Sequence, residues 1–328
     1  MRERYDVVVV GGGIVGLAHA IAAHERGCSV LLLERDGVCR SASVRNFGMI
    51  WPVGQPQGED EDRALRSRDR WIELSREAGF ALEPCGSLHL VHHEDEEQVV
   101  REFLERQDPA LGRAWLEREE VLERSPAASP TELRGALWSP LECCVDPREA
   151  IAKLTEWAAR LQRVDLRAGS VVEVTDGGVR TAAGARVDAN WVIVCSGAET
   201  RTLFPEALAN APLVPCKLQM LRTAPQPRGW RIGPMLATGL TLRHYPAFED
   251  CPTLPRVRER YAHEHPELDA FGIHVLASQN ATGEVVLGDS HEYGGPFAPG
   301  SSDEVDGAVL RWVRSRFRLL DEAVAARW

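Results

Sequence analysis

The strongest constraint on the fold lies almost at the first residue. "YDVVVVGGGIVGLAHAIAAHERGCSVLLLERD" spans residues 5 to 36. Its opening valines do not alternate with polar residues, which suits a strand buried on both faces. Gly11, Gly13 and Gly16 then complete G-x-G-x-x-G. In that pattern the first glycine makes a tight turn, the second lets backbone approach a pyrophosphate, and the third packs helix on strand. The spacing predicts a helix from Ile14 to Arg26, with Gly27 as its C-cap. A second strand, Ser29 to Leu33, ends at Glu34. An acid about 20 residues after the glycines accepts hydrogen bonds from an adenosine ribose and disfavours a 2′-phosphate. Glycine turns alone are weak evidence. Strand, turn, helix, strand and acid together predict the first half of a dinucleotide-binding domain.

The whole chain bounds the alternatives. Its 328 residues suggest about two domains. With 38 basic and 49 acidic residues, the net charge of −11 repels nucleic acid and anionic membrane. No apolar run reaches the ~20 residues of a membrane span, and the N-terminus does not read as a signal peptide. A cytoplasmic location is expected. Eight cysteines are scattered without a C-x-x-C, so reduced thiols are expected, and neither disulfides nor zinc. "HHEDEEQVV" offers His92 and His93 to a metal, but its acids better suit a helix N-terminus. "DEDRALRSRDRW" reads as a solvated helix face. No metal is expected.

NAD and FAD both fit the opening half. After Glu34, however, the chain does not continue its sheet. It enters "RDGVCRSASVRNFGMIWPVGQPQGED", a loop rich in small and polar residues. The sheet pattern returns later. "VDPREAIAKLTEWAARLQ" predicts a helix beginning at Pro147. A strand, a hairpin turning at Gly177-Gly178, and a buried strand from Trp191 to Cys195 follow.

These segments resemble the FAD-dependent oxidoreductases of the D-amino-acid oxidase superfamily, which includes glycine and sarcosine oxidases. "SASVRNFGMIWPVGQPQGE", "VPCKLQMLRT" and "VVLGDSHEYG" resemble a branch associated with phosphonate breakdown that acts on aminophosphonates. The resemblance implies an α/β fold: a Rossmann-like FAD-binding domain from residues 1–50, 144–212 and 291–328, and an α+β substrate domain from 51–143 and 213–290 on a mostly antiparallel sheet. It implies FAD as cofactor. Gly11, Gly13 and Gly16 would hold the pyrophosphate and Glu34 the adenosine ribose, with Ile14, Val15 and Arg35 as further cofactor-binding positions. Ser41, Ser43, Asn46 and Gly48 would run past the ribityl chain and the ring. Val172 would meet adenine, while Ser196 and Gly197 would pack beside the cofactor. The family continues past a strand like "VAARW" into a glycine-rich flavin-binding loop. The stop at Trp328 therefore suggests a truncated or weakened member. The preceding helix, Asp303 to Leu320, carries Val305, Val309, Trp312, Val313, Phe317 and Leu320 at helical spacing.

The implied substrate is a small amino compound with an anionic end, oxidised at its C–N bond by hydride transfer to the flavin, with oxygen or another carrier as final acceptor. The anion calls for arginine or lysine, and the amine for a base. Arg243, His244 and Tyr245 are the catalytic candidates, His244 first because a neutral imidazole titrates in the useful range. Arg45, Lys217, Gln219 and His291 are substrate candidates. If residues 217 to 223 form a strand, Lys217, Gln219 and Leu221 share one face and Arg222 the other. Two alternatives remain. A flavoprotein hydroxylase using a nicotinamide would need a second Gly-Asp motif, which Gly288-Asp289 superficially offers. The other is a non-catalytic flavin-binding relative.

Overall fold

A computed structural model describes residues 3–328. It divides into two compact units: residues 3–46, 73–81 and 147–215, and residues 47–72, 82–146 and 216–328. Residues 291–328 thus group with the second unit. They were expected with the FAD-binding domain, but the strand Val324–Arg327 pairs with Cys216–Pro225 and extends that unit's sheet.

The first unit is built on a six-stranded sheet ordered Val171–Thr175, Gly178–Thr181, Arg186–Val194, Glu3–Val10, Val30–Glu34, Val164–Ala168. Glu3–Val10 runs parallel to both neighbours, with Val10 opposite Leu33 and Val194. A central parallel strand is covered on both faces. That explains the uninterrupted valines, of which Val7 to Val10 are all buried. The helix Ile14–Glu25 buries Leu17, Ala20 and Ile21, and the chain leaves it through Gly27 at φ +80°, a left-handed turn that glycine adopts without strain. The hairpin turns at Gly177-Gly178 as expected, with Thr175 opposite Gly178. Arg186–Val194 is less covered than its sequence suggests: Trp191 is 73 % exposed. Apolar composition could not reveal which strand would be left partly bare.

The second unit carries an eight-stranded sheet: Val324–Arg327, Cys216–Pro225, Glu284–Tyr293, Leu276–Gln279, Met235–Thr238, Ser87–Val91, Gly135–Ser139, Ala114–Glu117. Every pairing is antiparallel except Met235–Thr238 with Ser87–Val91. Leu88, Leu90, Leu137, Leu236, Phe103, Phe248 and Tyr261 form its core. The helix Asp303–Arg316 adds Val305, Val309, Trp312 and Val313. It stops before Leu320, because Phe317 turns extended and bridges Ala128, which leaves Leu320 exposed.

Two charged segments carry structure. Buried Glu96 accepts the amides of His92 and His93, the Tyr261 hydroxyl (2.7 Å) and Arg260 (2.8 Å). "HHEDEE" is therefore a capped helix start, as its acids suggested. "DEDRALRSRDRW" lies in the helix Glu59–Ala78, but Glu61 is buried against Arg113 at 2.5 Å. That solvated-face expectation fails at Glu61, because Arg113 supplies the partner that a buried carboxylate needs.

His89 and His92 are buried, and both are pushed down to about 3, first by loss of hydration and then by repulsion from nearby cations. His89 sits between Trp51 and Phe248 with neither ring nitrogen hydrogen-bonded. The unfolded chain therefore takes up protons at the ordinary 6.5 while the folded chain resists. Thermal stability should be full above about pH 6.5 and decline as pH falls toward 3. His89→Leu should match the parent at neutral pH and lose less stability in acid, up to about 1.4 kcal/mol per pH unit. Parallel acid limbs in thermal melts would reject this account.

Candidate functional site

The first unit holds a backbone cradle. The Gly11 amide donates to the Leu33 carbonyl (2.8 Å), locking the glycine turn to the end of the second strand. A Cβ on Gly11 would lie 2.2 Å from the Cys195 carbonyl oxygen, and one on Gly16 only 1.9 Å from the Gly11 carbonyl oxygen. Neither position admits a larger residue. The helix that begins at Ile14 has no acid in its first turn and no side-chain cap on Gly13. Its first amide donates to Ser43 Oγ (3.0 Å), and Val15 is 57 % exposed. An accessible helix start of that kind presents N–H groups and positive dipole to an anion. Glu34 closes the cradle, since its carboxylate accepts the Gly12 amide at 2.7 Å and the Asp36 amide at 3.2 Å.

Other expected cofactor residues are distributed unevenly. Ser41 precedes the short turn Ala42–Val44 and Ser43 lies within it, and Asn46 holds it by donating to the carbonyls of Ala42 and Ser43. Gly48 belongs to the second unit, where its carbonyl accepts the Val145 amide. Arg35 pairs with Glu199 at 3.1 Å, which accounts for its charge without a ribose. Val172 is the second residue of the edge strand Val171–Thr175, just after a turn whose Gly169 amide donates to the Glu34 carbonyl (2.9 Å). Ser196 Oγ donates to the Glu199 carbonyl, and Gly197 adopts φ +61°.

The second unit brings together residues that are far apart in sequence. His244 stacks on His274 at 3.9 Å between ring centroids, and His291 lies 4.7 Å from His244 and 5.0 Å from His274. Asp289 completes the group, with Oδ1 2.9 Å from His274 Nε2 and Oδ2 4.0 Å from His291 Nε2. A β-bulge creates this arrangement. Gln219 pairs with Ser290 and Met220 with Gly288, so Asp289 is the extra residue. Its backbone pairs instead with that of His274 (2.8 and 3.2 Å). Bulges re-aim side chains in this way. His244 is accessible to solvent, yet its ring is covered on the stacked side. That partial desolvation, then repulsion from His274 and His291, pulls it down to about 4. Burial also lowers His291, against the pull of Asp289.

The flanking candidates are committed elsewhere. Arg243 pairs with Asp269 at 2.5 Å and lies over the Tyr261 ring. Tyr245 packs against Trp51 and His274, and burial pushes its hydroxyl well up. Gln219 donates to the Ser302 carbonyl and Asp306 and accepts the Ser302 amide, so its amide is spent on structure. Lys217 donates to the carbonyls of Ala298 and Gly300. Lys217 and Gln219 line, with His291, Phe271 and Pro299, a cavity of about 390 Å³. Arg45 is exposed in the first unit. The sequence reading missed His274 and the role of Asp289. His274 carries no motif, and Asp289 resembled part of an unrelated one.

A family described as FAD dependent oxidoreductase (DAO) matches residues 6–328. The chain belongs to this family. Its cofactor is FAD. It is 29% identical over 232 residues to the bifunctional protein ThiO/ThiG of Trichormus variabilis, covering 66% of this chain and 34% of that protein. It is 33% identical over 211 residues to a D-amino-acid oxidase of Streptomyces coelicolor, covering 61% and 55%. The chain thus spans about a third to just over half the length of these curated relatives. The structure of L-proline dehydrogenase from P. horikoshii superposes with a TM-score of 0.77 at 22% identity, over 100% of this chain and 81% of that one. This shared fold is the mixed α/β architecture expected from the sequence. Among the described residues no helix is long and apolar enough to cross a membrane.

The cradle fits the cofactor of this family. Bare glycine backbone, an accessible helix N-terminus and a carboxylate at the end of the second strand match a diphosphate and a ribose diol in kind. Gly13→Asp would place a Cβ 3.0 Å from Ser43 Oγ and a carboxylate at the helix start. The purified variant should lose its bound flavin while keeping its melting temperature without added FAD. Undiminished yellow absorbance in that variant would place the cofactor elsewhere.

Proposed function

We propose that this chain is an FAD-dependent oxidoreductase that oxidises the C–N bond of a small amino compound with an anionic end, an aminophosphonate or a related amino acid. The observation that carries the reading is the glycine cradle, where close backbone contacts exclude side chains at Gly11 and Gly16. Family membership supports the redox class, and the narrower substrate rests on the segments that resemble the phosphonate-associated branch. The first unit is the FAD-binding part and the second supplies the substrate residues.

FAD, when bound, supplies an acceptor for the two electrons and the hydrogen that leave the substrate's carbon. The chain's own contribution is orientation and proton handling. His244, neutral above about pH 4, offers a ring nitrogen that can accept a hydrogen bond from a substrate amine. Lys217 keeps a charged donor beside the cavity, since its two carbonyl partners leave one N–H. A 390 Å³ space suits a small ligand. Arg243, Tyr245 and Gln219 serve as supports for these elements. The pairing of the Asp289 backbone with that of His274, and the approach of its carboxylate to that ring, favour the amine reading over the hydroxylase alternative.

Anaerobic flavin reduction tests the substrate class. Glycine, sarcosine, 2-aminoethylphosphonate and its N-methyl derivative should reduce the flavin faster than neutral amines of equal size. Equal rates would remove the anion requirement. His244→Asn should slow reduction by about a hundredfold while leaving flavin content unchanged. A rate within a factor of about two would place the amine's acceptor elsewhere.

A further inference from the structure

Within the second unit, His244, His274 and His291 each offer one ring nitrogen, all within 4.8 Å of one another. We propose that they form a binding site for a divalent first-row transition cation, with Asp289 as the group that orients the ligands. The redox reading does not require such a site. A bound cation would occupy the His244 nitrogen, so the role proposed for that ring in the redox reaction belongs to the cation-free chain. No sequence motif marks the cluster, because the three residues lie on separate segments.

Three observations support it. First, the donor chemistry is consistent: three imidazoles make a suitable set for zinc, cobalt, nickel or copper. Second, the outer partners resemble those that position metal-binding histidines, which give their second N–H to a carbonyl or carboxylate. His291 Nδ1 lies 3.0 Å from the Gly272 carbonyl, leaving Nε2 to bind. His274 Nε2 lies 2.9 Å from Asp289 Oδ1, close though poorly aligned, which leaves Nδ1. Third, His274 Nδ1 is buried without any hydrogen-bond partner. A buried polar atom with no partner is uncommon in a folded protein, and a cation supplies one.

The spacing and the stack require His244 to turn, because its ring lies nearly parallel to that of His274 and two in-plane lone pairs meet at one ion only when the rings are inclined. Ring nitrogens around tetrahedral zinc sit about 3.3 Å apart. His274 is hydrogen-bonded through its backbone to bulged Asp289, and His291 lies on the strand Glu284–Tyr293. His244 follows the short helix Gly239–Leu242 and is accessible, so it is the ligand with room to move. Three imidazoles leave a fourth position for water or an anionic oxygen.

The test is metal binding by the FAD-loaded chain, stripped with chelator and titrated with zinc against a chromophoric competitor. One zinc per chain should bind. His244→Ala and His274→Ala should each weaken binding more than about tenfold, and Asp289→Asn about ten- to a hundredfold. His263→Ala, an exposed histidine outside the cluster, should bind as the parent does. Cobalt should give the intense visible bands of a four-coordinate site, and His244→Ala should abolish them. His244 is accessible, so that variant retains its fold, and its melting temperature verifies this. No stoichiometric zinc, or equal binding in His244→Ala and the parent, would overturn the assignment whatever the flavin activity.

Discussion

The structure of the first unit depends on one close approach: the helix Ile14–Glu25 begins in contact with the turn that precedes it. A hydrogen atom at Gly16 is all that separates the helix from the Gly11 carbonyl, and Gly11 itself lies against the Cys195 carbonyl. This contact draws together the ends of the strands Glu3–Val10 and Arg186–Val194, and the Gly11 amide secures the end of Val30–Glu34. The helix start is thereby left open, with no acid or capping side chain of its own. An anion at that point gains the first-turn N–H groups beyond Ile14, whose amide goes to Ser43 Oγ, and the dipole together. The same atoms thus decide both the packing of the sheet and the ligand that it can hold.

The second unit uses a different device. One extra residue in the strand Glu284–Tyr293 removes Asp289 from its place opposite Cys216–Pro225 and gives it to His274. Without the bulge, strict alternation would set Asp289 and His291 on one face and Ser290 on the other. With it, a carboxylate sits within 4.0 Å of two imidazoles while a third stacks above them. Burial keeps His244 and His291 neutral despite that carboxylate, because losing water costs a charged ring more than one nearby acid returns. Neutral imidazoles can accept protons or bind cations.

Many polar groups that looked functional serve structure. Gln219 ties Ser302 and Asp306 together at the start of the helix Asp303–Arg316, and Arg243 is held by Asp269 and Tyr261. Gln219 itself lines the cavity and Arg243 adjoins His244 in sequence, which is why a short motif could not separate them. The side chain's direction, set by neighbours distant in sequence, decides its use.

The sequence by itself determined the cradle: consecutive glycines, unbroken valines and an acid at the right spacing are local features, and local features survive folding. It also determined the mostly antiparallel second sheet, through short apolar strands and the family resemblance they carry. Only the tertiary structure decided that residues 291–328 join the second unit, that Trp191 stays bare, and that His244, His274, His291 and Asp289 meet. Those outcomes depend on strand pairing across long stretches of chain and on a single bulged residue. Pairing energy depends on what lies opposite, and no window of adjacent residues contains that information.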